Sequence, residues 1–112
     1  MPLDAAAAKD DLPGENRLIL SGAVIECSAL RRTPAGVAVQ GFKLLHQSRQ
    51  MENGLARDVT VELEAIAVGS LALVAKAAQM GSKVRLEGFL AQKSLRNGRP
   101  VLHVEKIEFL EG

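Results

Sequence analysis

Residues 80–100 read Met80-Gly81-Ser82-Lys83-Val84-Arg85-Leu86-Glu87-Gly88-Phe89-Leu90-Ala91-Gln92-Lys93-Ser94-Leu95-Arg96-Asn97-Gly98-Arg99-Pro100. A Gly-Ser stop follows an Ala-rich, helix-like segment. Val84, Leu86, Gly88 and Leu90 then alternate with Lys83, Arg85, Glu87 and Phe89, the period-two pattern of a half-buried strand. Lys93, Arg96 and Arg99 follow, around Asn97-Gly98, a dipeptide suited to a hairpin turn. A strand that runs into a basic tip has the shape of a phosphate-gripping finger. Whether it acts as one depends on what the rest of the chain builds around it.

On the C-terminal side, Val101–Leu110 is the return strand. Its apolar positions begin as Leu102 and Val104 and change face to Ile107 and Phe109, which predicts a bulge between them. On the N-terminal side, Gly69–Gln79 places Leu71, Val74, Ala75 and Ala78 at helical spacing. Ser70 is the expected N-cap and Gly81 the expected C-terminal stop. Asp58–Ala65 is a strand with Val59, Val61, Leu63 and Ala65 inward and Asp58, Thr60, Glu62 and Glu64 outward. Gln50–Ala56 is polar and centred on Asn53-Gly54, a second hairpin tip.

Val37–Arg49 is a further strand. Val37 and Val39 face in, then the pattern moves to Phe42, Leu44 and His46, so a bulge is expected at Gln40-Gly41. Arg31–Gly36 reads as a turn, broken by Pro34 and Gly36. Asn16–Leu30 is β-rich. Leu18, Leu20, Gly22 and Val24 alternate, yet Ile19 and Ile25 make the other face apolar too. A strand apolar on both faces is covered on both, a second subunit being one candidate cover. Gly22 marks a bend or bulge.

The order is β-β-β-α-β-β. Long bent strands, hairpins and one short helix between strands three and four predict an all-β fold, a five-stranded Greek-key barrel of the OB type. A split βαβ sandwich would need a second helix, and one segment has helical spacing. The OB-fold domain is expected over residues 16–112. Residues 1–15 are expected to form a disordered, acidic N-terminal tail, because Asp10, Asp11, Pro13 and Gly14 end any structure begun at Ala5–Ala8.

The net charge of +1 conceals an uneven distribution. Residues 1–16 carry Asp4, Asp10, Asp11 and Glu15 against Lys9, which leaves the remainder at +4, an excess that hints at an anionic partner. Cys27 is the single cysteine, so the chain has no internal disulfide, and a reducing, cytoplasmic setting is expected. No apolar run approaches the length of a membrane span, and the N-terminus has no basic region followed by an apolar one, so no secretory signal is expected.

The residue set offers little to catalysis. His46 and His103 each sit on a strand without ligand-spaced companions, and Cys27 has no activating neighbour in sequence. Glu62 and Glu64 share a strand face, where carboxylates are ordinarily solvated. Gly81-Ser82 opens a strand rather than a helix, so the phosphate-binding helix terminus does not apply. No catalytic residue, metal site or cofactor is expected.

Binding to nucleic acid fits better. In an OB barrel, the first-second and fourth-fifth connections flank a groove. Arg31 and Arg32 would face Lys93, Arg96 and Arg99 across it, the electrostatic half of single-strand binding. The stacking half is thin: Phe42, Phe89 and Phe109 are the only aromatic residues of the F, W and Y set. Of these, Phe89 lies on the outward face of its strand.

Three stretches carry a family resemblance: Asn16-Arg17-Leu18-Ile19-Leu20-Ser21-Gly22, Val68-Gly69-Ser70-Leu71-Ala72-Leu73-Val74-Ala75, and Gly81 to Leu90. Together they resemble the bacterial single-stranded-DNA-binding protein superfamily. Phe42 with His46, Asn97-Gly98 and Val101-Leu102-His103 make the primosomal replication protein N family the most similar branch. The resemblance runs over nearly everything after Glu15.

The resemblance implies a homodimer of OB folds joined at the first strand, around Leu18, Ile19 and Leu20. It implies a non-enzymatic accessory of replication restart that binds single-stranded DNA and docks to a PriA-type helicase and a DnaT-type loader protein. Among the binding positions, Arg32, or Arg31 with a one-residue slip, matches a family lysine. Arg57 matches an arginine, and Arg96 and Arg99 match lysines. Lys93 adjoins a further lysine position held here by Ser94. Thr60 stands where the family has a stacking tryptophan, Leu55 replaces a second aromatic, and Gln47 replaces an arginine. The expected grip on DNA is therefore mostly electrostatic. The alternative is a protein–protein adaptor of the primosome with weak or vestigial DNA binding.

Overall fold

Leu44, Leu86 and Leu102, from three different strands, have no exposed surface and mark the centre of the molecule. The computed structural model describes residues 14–110. Its elements are β1 (Leu18–Cys27), β2 (Arg31–Arg32), β3 (Ala38–Glu52), β4 (Leu55–Val68), α1 (Ser70–Ala75), β5 (Lys83–Gln92) and β6 (Pro100–Leu110). β1 pairs with β5, β5 with β6, β6 with β4 and β4 with β3, and a further β3–β1 pairing closes the ring. The five long strands form the expected OB-type barrel. Closure satisfies the backbone groups that an open sheet leaves at its edges. No helix among the described residues is long and apolar enough to cross a membrane.

The interior follows from the period-two pattern. Val84, Leu86 and Gly88 of β5 are buried and Leu90 is half-buried, as their alternation predicts. Val24, Phe42, Leu44, Ala65, Leu102 and Val104 join Val84 and Leu86 in the core. Its aliphatic character leaves Phe42 as the one ring in that cluster. In β6 the register against β5 shifts, with Glu87 opposite Lys106 and Gly88 opposite Val104. Glu105 is the extra residue, so the bulge expected between Val104 and Ile107 is present.

Other local readings need correction. No bulge interrupts β3 at Gln40-Gly41, because its register with β4 runs unbroken from Val39↔Val68 to Glu52↔Leu55. Ala38, Gln40, Phe42 and Leu44 are the buried alternating set. A polar residue occupies one of these positions because Gln40 Nε2 donates to the Ser28 and Gly41 carbonyls, at 2.5 and 2.9 Å. The bulge lies instead in β1, where Ile25 falls between Val24↔Leu44 and Glu26↔Lys43. Gly22, three residues earlier, is a point of close approach: a Cβ there would collide with the Leu45 carbonyl.

The helix is shorter than its periodicity suggested. Its N-cap is Gly69, at φ 73°, with no side-chain cap, and it ends at Ala75. Ala72, Ala75 and Ala78 face the core, while Val74 is exposed and Leu71 only half-buried. Small alanines let the segment sit close on the barrel end, so size rather than hydrophobicity chose the buried face.

Both hairpin tips differ from expectation in extent or position. Asn53 (φ 52°) and Gly54 (φ 79°) form a two-residue turn, and β3 and β4 run right up to it, through residues read as a loop. In the β5–β6 connection, Ser94 N donates to the Asn97 carbonyl and Ser94 Oγ accepts from Asn97 N. The tip is thus Leu95-Arg96, not Asn97-Gly98. The tail expected over residues 1–15 falls mostly on residues 1–13, outside those described.

Candidate nucleic-acid interface

Two connections form the walls of a cavity of about 320 Å³ on the outer surface of β3, β4 and β6. The first is the β1–β3 connection. Its Arg31 and Arg32 pair with Val39 and Ala38, so a segment read as a turn is a two-residue strand added to β3. The true turn is Thr33–Gly36, closed by Gly36 N donating to the Thr33 carbonyl at 2.8 Å. Arg31 lines the cavity. Arg32, the next residue on an alternating strand, turns the other way and donates to the Gly36 carbonyl at 3.1 Å.

The second wall is the β5–β6 connection. Parallel pairing of Glu64, Ala65 and Ile66 with Val101, Leu102 and His103 sets this hairpin beside β4. Lys93 therefore reaches Glu64, its ammonium donating to Oε1 at 2.9 Å. The Arg99 guanidinium lies 3.2 Å from Oε2 of the same carboxylate. Oε2 is buried and accepts no well-aligned hydrogen bond. The Lys93 hydrogen bond holds the Glu64 carboxyl below its ordinary value, against desolvation, with the charges of Arg99, Lys93 and Lys43 adding to the effect.

The cavity thus carries three cations, Arg31, Lys43 and Lys93, and two carboxylates, Glu26 and Glu64. Lys43 sits 3.7 Å from Glu26, and Lys93 is held by Glu64. Arg31 makes no ion pair among the described residues. The site has an excess of positive charge and a carboxylate already seated among the cations.

Of the six candidate arginines and lysines, Arg31 and Lys93 share the cavity and Arg99 adjoins it through Glu64. Arg96 stands exposed at the tip of the β5–β6 loop, beyond the cavity lining. Arg57 lies far along the β3–β4 ribbon, where it pairs with Glu52. Strand alternation puts Arg57 on the opposite face from Glu64 and Thr60. Thr60 and Gln47, two positions where the family resemblance has a tryptophan and an arginine, are direct cross-strand partners on that ribbon. Leu18 and Leu20 pack against the core, whereas Ile19 is 44% exposed.

Sequence reasoning missed Glu64 as a partner of the basic loop, and it missed His103 as a lining residue. Neither carries a local signal, since their neighbours come from distant strands. His46 fits the ordinary reading of a strand histidine. Its Nδ1 contacts the Ser21 carbonyl and its Nε2 the Ser48 hydroxyl, both at 2.7 Å, which ties β1 to β3.

Comparison with known proteins shows what the whole chain is similar to. A family model described as "another single-strand binding protein family" matches residues 16–106. The replication restart protein PriB of Nitrosomonas europaea is 39% identical over 89 residues, covering 80% of this chain and 82% of that protein. A solved PriB structure from Ralstonia solanacearum superposes with a TM-score of 0.80 at 32% identity, covering 88% of this chain and all of that one. The wild-type single-stranded DNA binding protein from Thermus aquaticus gives a TM-score of 0.71 at 26% identity, covering 88% of this chain and 52% of that one.

Proposed function

This chain belongs to the PriB replication restart family within the single-strand binding proteins, and from that premise we propose that it holds single-stranded DNA in the cavity between the β1–β3 and β5–β6 connections. The observation that carries this is the convergence of Arg31, Lys43 and Lys93 on one lined cavity, with Arg99 beside it. Phosphates entering there replace Glu64 and Glu26 as partners of the lysines. The ribbon bears Thr60 and Gln47 in place of a ring and an arginine, so phosphate contacts dominate. Residues 16–112 are the binding domain, acting in the cytoplasm without catalysis or cofactor.

In this reading the protein is a homodimeric accessory of the restart primosome that bridges DNA to a PriA-type helicase, with a DnaT-type loader as a further partner. The free edge of β1 supports the dimer. Leu18–Gly22 pair with β5 alone, and β1–β3 pairing begins only at Ala23, so one edge of that segment has no strand beside it among the described residues.

Salt titration of oligonucleotide binding is the direct test. Each phosphate neutralised contributes about −0.7 to the log–log slope for a single strand. A steep slope is expected. A flat slope, or no binding at low salt, overturns the DNA role. For the bridge, helicase capture is compared between the native chain and an Arg31→Ala/Lys93→Ala variant. Capture that depends on DNA in the first and disappears in the second is expected. Capture that survives the loss of DNA binding favours the adaptor alternative.

A further inference from the structure

Phe89 on β5 and His103 on β6 are direct cross-strand partners on the outer face of the barrel. Their rings stack, with centroids 5.0 Å apart and planes 9° from parallel. Backbone packing explains the contact. At Gly88 the two strands come so close that a Cβ would collide with the His103 carbonyl. The outward rings next to that point are pressed face to face. His103 lines the cation-bearing cavity, while Phe89 remains 38% exposed.

The outer surface that starts at Lys43 and Glu64 therefore continues across β6 as a pair of flat rings. The other two phenylalanines cannot serve this surface. Phe42 borders the cavity but is only 5% exposed and packs in the core, and Phe109 sits opposite Val84, at the end of β5 away from the basic loop. Aromatic faces accept any nucleobase, because every base has a π face, and they complement cations that hold the backbone.

We propose that Phe89, backed by His103, is a nucleobase-stacking platform. One base of a bound single strand lies on the exposed ring, and the adjoining backbone runs toward Lys93, Lys43 and Arg31. The platform restores part of the stacking that Thr60 cannot supply, at a different place on the barrel. It rests on the reading that the cavity binds single-stranded DNA.

The chain has no Trp and no Tyr, so Phe89→Trp introduces a single fluorophore on an otherwise silent protein. Two probes of equal length are titrated at low salt, an oligothymidylate and an abasic oligomer with the same phosphates. Binding is followed separately by anisotropy of the labelled oligomers. Oligothymidylate should quench the Trp emission and the abasic oligomer should not. Phe89→Leu, which keeps apolar bulk but removes the ring face, should lose about fivefold or more in oligothymidylate affinity. Its abasic affinity and its salt slope should match the native chain.

Saturated DNA with unmoved Trp emission overturns the platform and leaves the cavity reading intact. So does native-level oligothymidylate binding by Phe89→Leu. Emission that changes with protein concentration alone shows the ring to be covered by a second copy, and also overturns it. If the native chain binds neither oligomer, the cavity reading and the platform fall together.

Discussion

The Lys93 ammonium donates to Glu64 Oε1 at 2.9 Å, so the basic β5–β6 loop is held by a carboxylate from the middle of the barrel wall. Arg99 reaches the other oxygen of the same group at 3.2 Å. One side chain thus occupies two of the cations proposed to hold phosphate. Glu64 stands in the place of an anion, and in the proposed reading bound DNA displaces it.

Glu64→Gln removes this competitor while keeping its shape. The Lys93 and Arg99 partners are solvent-exposed, and ion pairs with such partners are worth about 0–1 kcal/mol, so oligonucleotide affinity should rise about two- to fivefold. Anisotropy at fixed low salt reads the change. Weaker binding would instead mean that Glu64 positions Lys93 and Arg99 for DNA.

Glu64 also has a defined signature in acid. Its carboxyl lies below its ordinary value of 4.5 in the folded state, chiefly because of the Lys93 hydrogen bond. Its contribution to stability is full above that ordinary value and is lost as the pH falls through the lower folded-state value. Urea denaturation across this acid range should show the native chain losing more stability than Glu64→Gln. Parallel curves for the two proteins would contradict the coupling.

Arg31 and Lys93 should act differently from Arg57. Removing two of the three cavity cations with Arg31→Ala/Lys93→Ala should make the log–log salt slope shallower by roughly 1.4, at about 0.7 per phosphate contact. Arg57→Ala should leave the slope unchanged, because Arg57 pairs with Glu52 on the opposite ribbon face. A slope change for Arg57→Ala would place the DNA path along the ribbon.

Gly22 and Gly88 are required by backbone contact rather than by dihedral freedom. A Cβ at either would strike a carbonyl of the neighbouring strand, Leu45 or His103. Alanine at each should cost about 1–3 kcal/mol or more, the range for forced overpacking. Gly98→Ala is the control, since nothing lies within 4 Å of a Cβ there and its φ is not positive. Thermal melts should separate the first two from the third.

Ile19 is the exposed apolar residue on the β1 segment with a free edge. Ile19→Lys should shift the sedimentation of the protein from dimer to monomer at micromolar concentration. Leu18 and Leu20 pack on the core, so substitutions there should lower the melting temperature as well. A native chain that sediments as a monomer would remove the dimer from the proposal.

Much of the fold was legible in the chain because strand faces are written locally. Val84, Leu86 and Gly88 alternate with charged residues, and that alternation alone assigns inside and outside. The change of face after Val104 announced the Glu105 bulge in the same way, and Asn53-Gly54 announced its turn. The misreadings share a cause. Val39 is buried on the face opposite Phe42, and the helix buries alanines in preference to Val74, because what covers a residue is set by neighbours far away in sequence.

The site divides along the same line. The sequence by itself determined that basic residues lie on the two connections flanking an OB groove, since composition and turn chemistry are local. Only the tertiary structure decided which of them meet. Closure by the parallel β4–β6 pairing brings Lys93 and Arg99 onto Glu64. Alternation along a two-residue strand turns Arg31 into the cavity and Arg32 out of it. Close strand approach at Gly88 lays Phe89 on His103. Each of these contacts joins residues of separate strands, or depends on one strand's seat against another, and no periodicity within a single segment encodes it.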